Sequence, residues 1–319
     1  MPSDLPRAPR NRTLTLTPSE RDRYRQRLTA LERKASDISD LRNRTLCQDS
    51  LAALPWLPDS CIDLLIADPP YNRTKVFNQT VFSQRSLASY QDWLDIWMSQ
   101  LPRLLKPTGS VYICCDWQSS NAIYCVFEKY FKVRNRITWE REKGRGAKHN
   151  WKNAAEDIWF GTVSEDYYFN VEAVKLKRRV IAPYRDRNGQ PKGWRETQRG
   201  RFRITHPSNL WTDISIPFWS MPENTDHPTQ KPEKLMAKLI LASSQPGDMV
   251  FDPFLGSGTT AVVAKKLQRQ YLGIEQDEHY CCLAEKRLDL AEQDTTIQGY
   301  AGGYFWERNT LAEQRRQAE

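Results

Sequence analysis

Two stretches of the chain hold residue types that could do chemistry. In "CIDLLIADPPYNRTKVFN" an apolar run, Ile62 to Ala67, stops abruptly at Asp68, Pro69, Pro70 and Tyr71. An acid, two residues with locked φ and an aromatic therefore sit together at the end of what reads as a buried strand. Far downstream, "GDMVFDPFLGSGTTAVVAKKLQRQYLGIEQDEHYCCLAEKRL" reads as a strand, a tight glycine loop, a helix and a second strand closed by Glu275. Gly256 and Gly258 permit close backbone approach. An acid at the end of the following strand can accept hydrogen bonds from ribose hydroxyls. This is a nucleoside-binding arrangement. The loop lies between strand and helix, with Glu275 seventeen residues after Gly258, which makes the signal stronger than a lone Gly-x-Gly. Ala261 stands where a dinucleotide fingerprint has its third glycine, so the motif alone leaves an oxidoreductase open. A Walker-type phosphate loop fails, because the chain has no Gly-Lys-Ser/Thr.

These motifs must be carried by alternating elements. From "LRNRTLCQDSLAAL" onward, short apolar runs alternate with amphipathic segments, as expected for βα units. In "SYQDWLDIWMSQLPRLLKPTG", Tyr90, Trp93, Leu94, Trp97, Met98, Leu101, Leu104 and Leu105 recur at helical spacing, and Lys106, Pro107 and Gly109 end the segment. Its tryptophans read as core residues. "SVYICCDW", "RNRITWERE" and "EDIWFGTV" read as further strands. Before them, "TPSERDRYRQRLTALERKA" reads as a helix with Thr17 as cap, Pro18 in its first position and Glu20 completing a capping box. That helix suits either a solvated surface or a DNA-facing arm.

At 319 residues with 39% hydrophobic content, the chain can build a substantial α/β core. A mean hydropathy of −0.71 and the absence of a long apolar run argue against a membrane span, and a cytoplasmic location is expected. The seven cysteines (Cys47, Cys61, Cys114, Cys115, Cys125, Cys281 and Cys282) lack zinc-type spacing and read as reduced, mostly buried thiols. With only four scattered histidines, no metal site is expected. Net charge is +8. Between Lys175 and Arg203, eleven Lys or Arg face two acids, an excess of nine that accounts for the whole net charge and leaves the remainder close to neutral. Proline and glycine in this insert suggest a loop-rich extension rather than another sheet layer. Tyr184, Trp194 and Phe202 are interleaved with its arginines, which suits phosphate contacts combined with base-edge or stacking contacts. A solvated charge run fits the same composition.

The pair "DPPY" and "FDPFLGSGTT" resembles the two signature motifs of S-adenosylmethionine-dependent DNA amino-methyltransferases, in the motif order of the family's beta class. "CQDSLAALP" and "HPTQKPEKLM" are similar to flanking segments of that family, and the likeness spans roughly residues 42 to 292. It implies a Rossmann-like, mostly parallel αβα sandwich. It also implies an N-terminal arm over residues 1–41, a catalytic domain over 42–292 with a target-recognition insert at 163–225, and a C-terminal extension at 293–319. In the implied site, Asp68 and the Pro69 carbonyl each accept one hydrogen of an exocyclic base amine, localising its lone pair toward the methyl donor. Pro69 and Pro70 fix the carbonyl direction, and Tyr71 stacks on a base taken out of the duplex. The family pattern sets Phe254, Gly256 and Gly258 against S-adenosylmethionine, Glu275 on its ribose and Asp49 near its adenine. Asp68 also borders this pocket. Asp252, Thr259, Thr260 and Lys231 are candidates for its amino-acid end, although Thr259 and Thr260 also suit helix capping. His227 suits a turn.

The resemblance points to double-stranded DNA as partner, touched by Lys175, Lys177, Arg178, Arg179, Arg185, Arg187, Arg195, Arg199, Arg201 and Arg203. Carbon-5 cytosine chemistry is disfavoured, because no Pro-Cys step supplies its nucleophile. Protein-glutamine and RNA methyltransferases usually have Asn before the prolines and the glycine motif first. A non-catalytic DNA-binding protein would not need a donor site. Asp in the first motif position favours adenine-N6 over cytosine-N4 as the target. The recognised sequence, a cognate restriction endonuclease, and monomer versus homodimer stay open.

Overall fold

The computed structural model describes residues 8–32, 37–78, 80–141, 149–180, 184–197, 200–311 and 314. Its large sheet contains β1 (Arg44–Cys47), β2 (Ile62–Ala67), β3 (Leu105–Cys115), β4 (Lys132–Glu140), β5 (Ala155–Thr162), β6 (Leu210–Trp211), β7 (Met249–Asp252) and β8 (Gln270–Glu275). In space they run β1-β8-β7-β2-β3-β5-β4-β6. Only β5 runs against the rest. The sheet is thus the expected mostly parallel one, assembled from two separated halves of the sequence.

The helices of eight or more residues are α1 (Pro18–Arg25), α2 (Leu87–Met98), α3 (Ser120–Phe127), α4 (Glu233–Ser243), α5 (Thr259–Lys266) and α6 (Glu278–Gln293). Strand alternation explains why β2 is apolar throughout. Leu64 and Ile66 join the core under α4, α5 and α6, whereas Leu65 and Ala67 join the core under α2 and α3. Each of Leu64, Leu65 and Ile66 is fully buried, worth about 1.5–3 kcal/mol apiece relative to exposure. Among the described residues no helix is long and apolar enough to cross a membrane.

The sheet brings the two motifs together. Val250 and Phe251 of β7 are in register with Leu64 and Leu65 of β2. The glycine loop and Asp68 therefore leave adjacent strands at their carboxyl ends, where open parallel sheets form their crevice.

Three local expectations are corrected. Leu105 belongs to β3, not to the preceding helix, because Leu105 pairs with Ile62. The N-terminal helix has its capping box but ends at Arg25, after which Thr29 bridges to Leu46 on the edge of the sheet. It is not a free solvated helix: Tyr24 is buried, and Arg25 and Arg27 reach Glu278 and Asp289 on α6 at 2.6 and 2.5 Å. The basic insert is also more than loop. Leu176–Arg179, Arg195–Thr197 and Gly200–Thr205 join Tyr300–Ala301 and Tyr304–Trp306 in a five-stranded sheet. The C-terminal strands that complete it lie too far along the chain for local periodicity to reveal the pairing.

Candidate active site

Asp68 lies one residue beyond β2, and both of its carboxylate oxygens are engaged. Oδ1 accepts from the Tyr71 hydroxyl at 2.8 Å, and Oδ2 lies 2.6 Å from the Lys231 ammonium. Lys231 also meets the Tyr71 hydroxyl at 3.0 Å, and its Nζ sits 5.3 Å from the tyrosine ring centroid. A second carboxylate completes the cluster. Glu156, near the start of the reversed strand β5, accepts from Tyr71 at 3.3 Å and lies 3.4 Å from Lys231. Its other oxygen pairs with Arg141 at 2.7 Å. Burial alone would lower the Lys231 pKa, but Asp68 and Glu156 outweigh it and hold the ammonium charged. Burial, then the same two carboxylates, push the Tyr71 hydroxyl well above its ordinary range, so it stays a neutral donor.

The backbone around Asp68 is braced independently. Tyr90 of α2 donates to the Pro70 carbonyl at 3.0 Å, and the Asn72 amide donates to Ser119 Oγ at 3.0 Å. Arg73 pairs with buried Asp116 at 2.6 Å.

On the opposite wall, Glu275 accepts from the Gly256 amide and the Asp277 amide, each at 2.9 Å. Its carboxyl pKa is raised by burial. Each carboxylate oxygen has a further lone pair for a hydroxyl donor. Asp252, pushed up to about 7 by burial, accepts from Thr260 at 2.6 Å and from the Phe254 amide at 2.9 Å. Thr259 accepts from Arg287 at 2.9 Å. The α5 cap is Gly258, so neither threonine caps the helix through its side chain. Asp49 caps the turn Ser50–Ala53 by accepting from Ala52 at 3.0 Å. Phe254 packs edge-on against Trp97 at 5.1 Å.

The two glycines do different work. Gly256 has φ +54, and a Cβ there would lie 3.0 Å from His227 Nε2. Gly258 has φ +84, and a Cβ there would lie 2.6 Å from Ala284 Cβ on α6. The first lets the loop pass His227; the second lets helix pack on loop. His227 Nδ1 accepts a long 3.4 Å bond from the Thr229 amide, consistent with a turn.

One cleft of about 380 Å³ joins the walls, lined by Asp49, Asp68, Pro69, Pro70, Tyr71, Lys231, Asp252, Phe254, Gly256, Thr259, Thr260 and Glu275. Trp93, read from the sequence as core, lines it too, as do Arg141, Asn153 and Glu156. No local pattern marks Glu156. Its place depends on β5 being reversed, which brings its first residues to the carboxyl ends of the other strands.

The basic insert is only partly free for a polyanion. Lys175 pairs with Glu172 at 2.7 Å, and Arg178 with Glu307 at 3.0 Å. The Arg179 amide donates to Glu307 at 2.9 Å. Arg185 and Arg201 share Glu196 at 3.5 and 3.1 Å. Lys177 lies over Phe202 and Trp306. Arg187, Arg195 and Arg203 are exposed, and Arg199 lies outside the described residues. Trp194 and Phe202 are buried inside the insert, which corrects their reading as surface stacking groups; Tyr184 is exposed. Their burial follows from pairing with the C-terminal strands and from basic side-chain stems laid over the rings.

Comparison with known proteins accords with this geometry. The model of a DNA methylase family, covering N6 and N4 methylases, matches residues 62–286. The chain is 34% identical over 250 residues to the DNA adenine methyltransferase YhdJ of Escherichia coli (strain K12), covering 76% of this chain and 81% of the relative. It is 33% identical over 251 residues to the type II methyltransferase M.HpaI of Haemophilus parainfluenzae, covering 77% of this chain and 74% of the relative. The fold resembles that of the cytosine-N4-specific PvuII DNA methyltransferase, with a TM-score of 0.55 at 19% identity, over 83% of this chain and 93% of the other. The chain with Asp68 and its glycine loop on neighbouring strands belongs to the N6/N4 DNA methylase family.

Proposed function

We propose that this DNA methyltransferase transfers a methyl group from S-adenosylmethionine to the N6 amine of adenine. The observation that carries the reading is the carboxylate of Asp68 beside the Pro69 carbonyl on one wall of a cleft whose other wall is the glycine loop. The volume and lining suit a nucleoside-sized donor: an acid at a strand end, an aromatic face at Phe254, and a loop kept narrow by Gly256. When bound, S-adenosylmethionine supplies an electrophilic methyl group on sulfur. Glu275 would receive its ribose hydroxyls, Asp49 would lie toward its adenine, and Asp252, Thr259 and Thr260 would border its amino-acid end. Asp68 and the Pro69 carbonyl accept the two amine hydrogens and turn the nitrogen lone pair toward the methyl carbon. Tyr71 stacks on the base, which reaches this depth only outside the duplex stack. The insert, through its exposed arginines, contacts the phosphates.

Adenine is favoured over cytosine by Asp in the first motif position and by the adenine methyltransferase among the relatives. The test is to incubate the protein with unmethylated DNA and S-adenosylmethionine, then digest the DNA to nucleosides for mass spectrometry. N6-methyladenine is expected. N4-methylcytosine alone would overturn the choice of base, and neither product would overturn the reading.

A further inference from the structure

Asp68 is not ready to receive an amine as it stands. One of its oxygens already takes the Tyr71 hydroxyl and the other the Lys231 ammonium. An incoming amine hydrogen meets only the second lone pair of an oxygen whose charge a donor already draws off, a weaker acceptor than a free carboxylate oxygen. Each donor also has a second carboxylate within reach, for Glu156 Oε2 lies 3.3 Å from the Tyr71 hydroxyl and 3.4 Å from Lys231 Nζ. These distances are longer than those to Asp68, so the pair rests on Asp68 with Glu156 as the alternate partner.

We infer that Glu156 is a positioning residue that takes Lys231 and Tyr71 off Asp68 when the target amine enters, leaving Asp68 a full-strength acceptor for its amine hydrogen. The transfer moves two hydrogen bonds between partners whose distances differ by 0.5 Å for Tyr71 and 0.8 Å for Lys231, and it breaks no covalent bond. It leaves no buried cation unpaired, because Lys231 exchanges one carboxylate for another. Lys231 and Glu156 have side chains only 6% and 5% exposed, so water is a poor substitute for either partner. Arg141, at 2.7 Å on the far oxygen, fixes the carboxylate so that Oε2 keeps facing the cluster. Asp68, Glu156, Lys231 and Arg141 together balance in charge. Removing the charge of Glu156 would leave Asp68 as the only anion for Lys231 and bind the two more tightly, when the reaction needs them apart.

The inference rests on the proposed role of Asp68, and the two are separable. The role of Asp68 fails if Asp68→Ala retains activity. The role of Glu156 is read from Glu156→Gln and Glu156→Asp in the full-length protein. Glutamine keeps the shape and loses the charge; aspartate keeps the charge and shortens the reach. With enzyme in excess over plasmid DNA from a methylase-free host, single-turnover transfer of labelled methyl should fall in the order Glu, Asp, Gln. Glutamine should be at least tenfold slower than the parent, with S-adenosylmethionine affinity changed less than twofold. A residue that merely filled space would give the opposite order, since glutamine is the better match in shape. Transfer by Glu156→Gln at the parent rate, or faster than by Glu156→Asp, would overturn the inference. Melting temperatures of both variants, measured alongside, report whether either has lost its fold, and the Asp-against-Gln order is read at a temperature where both are folded.

Discussion

Trp306 and Phe202 meet edge to face, with ring centroids 5.8 Å apart and planes at 71°. One residue belongs to the C-terminal extension and the other to the basic insert, so the contact joins a segment inserted within the α/β core to one that follows it in sequence. Lys177 caps the pair, its Nζ 4.4 Å from the Trp306 centroid. Beneath it, Lys234 of α4 donates to the Trp306 carbonyl and pairs with Asp213 at 2.7 Å. The extension is therefore part of the five-stranded sheet and is anchored to the core through a buried charge.

Trp306→Ala should accordingly cost about 3–5 kcal/mol of stability, the range for deleting a fully buried large aromatic. Chemical denaturation measures it. Because Trp306 does not line the cleft, S-adenosylmethionine affinity of the folded fraction should stay within about twofold. A loss below about 1 kcal/mol would mean that the extension is not integral to the sheet.

How much of this was legible in the sequence depended on the distance over which each cause acts. Asp68 and Gly256 could be read because each sits at the end of a continuous apolar run, and the chemistry is carried by neighbours in the chain. The sheet register then brings the two motifs together. Glu156 could not be read, because "EDIWFGT" is an ordinary strand start until one knows that β5 is reversed. The insert was misread as loop for a related reason. Phe202 is the one buried residue of its strand, and the apolar surface it packs on comes from Trp306. A pattern with a single apolar residue per strand carries too little local periodicity to declare itself.

The exposed arginines divide by whether an acid holds them, and the division predicts their part in DNA binding. Arg185 and Arg201 are exposed but held by Glu196, whereas among the described residues no acid pairs with exposed Arg187, Arg195 or Arg203. Replacing the three exposed arginines with glutamine should flatten the dependence of log affinity on log salt by roughly 2 to 3, at about 0.9 per lost phosphate contact. Fluorescence anisotropy with a labelled duplex at several salt concentrations measures this. An unchanged slope would place the DNA elsewhere.

His227 sets a third, pH-dependent prediction. Burial first, then the nearby Lys231 and Lys75, lower its pKa from 6.5 to about 3. Between those values the unfolded chain holds a proton that the folded chain refuses, so this residue makes stability fall as pH drops below 6.5. From pH 6.5 to 4.5 the loss due to His227 should be roughly 2–3 kcal/mol. His227→Asn, which keeps a turn-forming side chain, should lower stability at neutral pH and lose less on acidification than the parent. Urea titrations of both proteins at pH 6.5 and 4.5 give the difference. Equal pH dependence would show that His227 is protonated freely in the folded state.

The most direct test of the site is Asp68→Ala. The substitution removes one acceptor for the amine, and methyl transfer should fall by at least about 100-fold, the scale for losing one preorganised group that stabilises a transition state. The fold should survive, because the Lys231 ammonium left behind still has Glu156 at 3.4 Å and is not an orphaned buried charge. Donor affinity should also survive, since Glu275, Phe254 and the Gly256 amide are held by the opposite wall through bonds that do not involve Asp68. Calorimetric titration with S-adenosylmethionine beside a methyl-incorporation assay separates the two effects. Loss of both together would mean that Asp68 organises the donor pocket rather than the amine. Retention of both would remove Asp68 from the chemistry and leave the Pro69 carbonyl and Tyr71 as the groups to test.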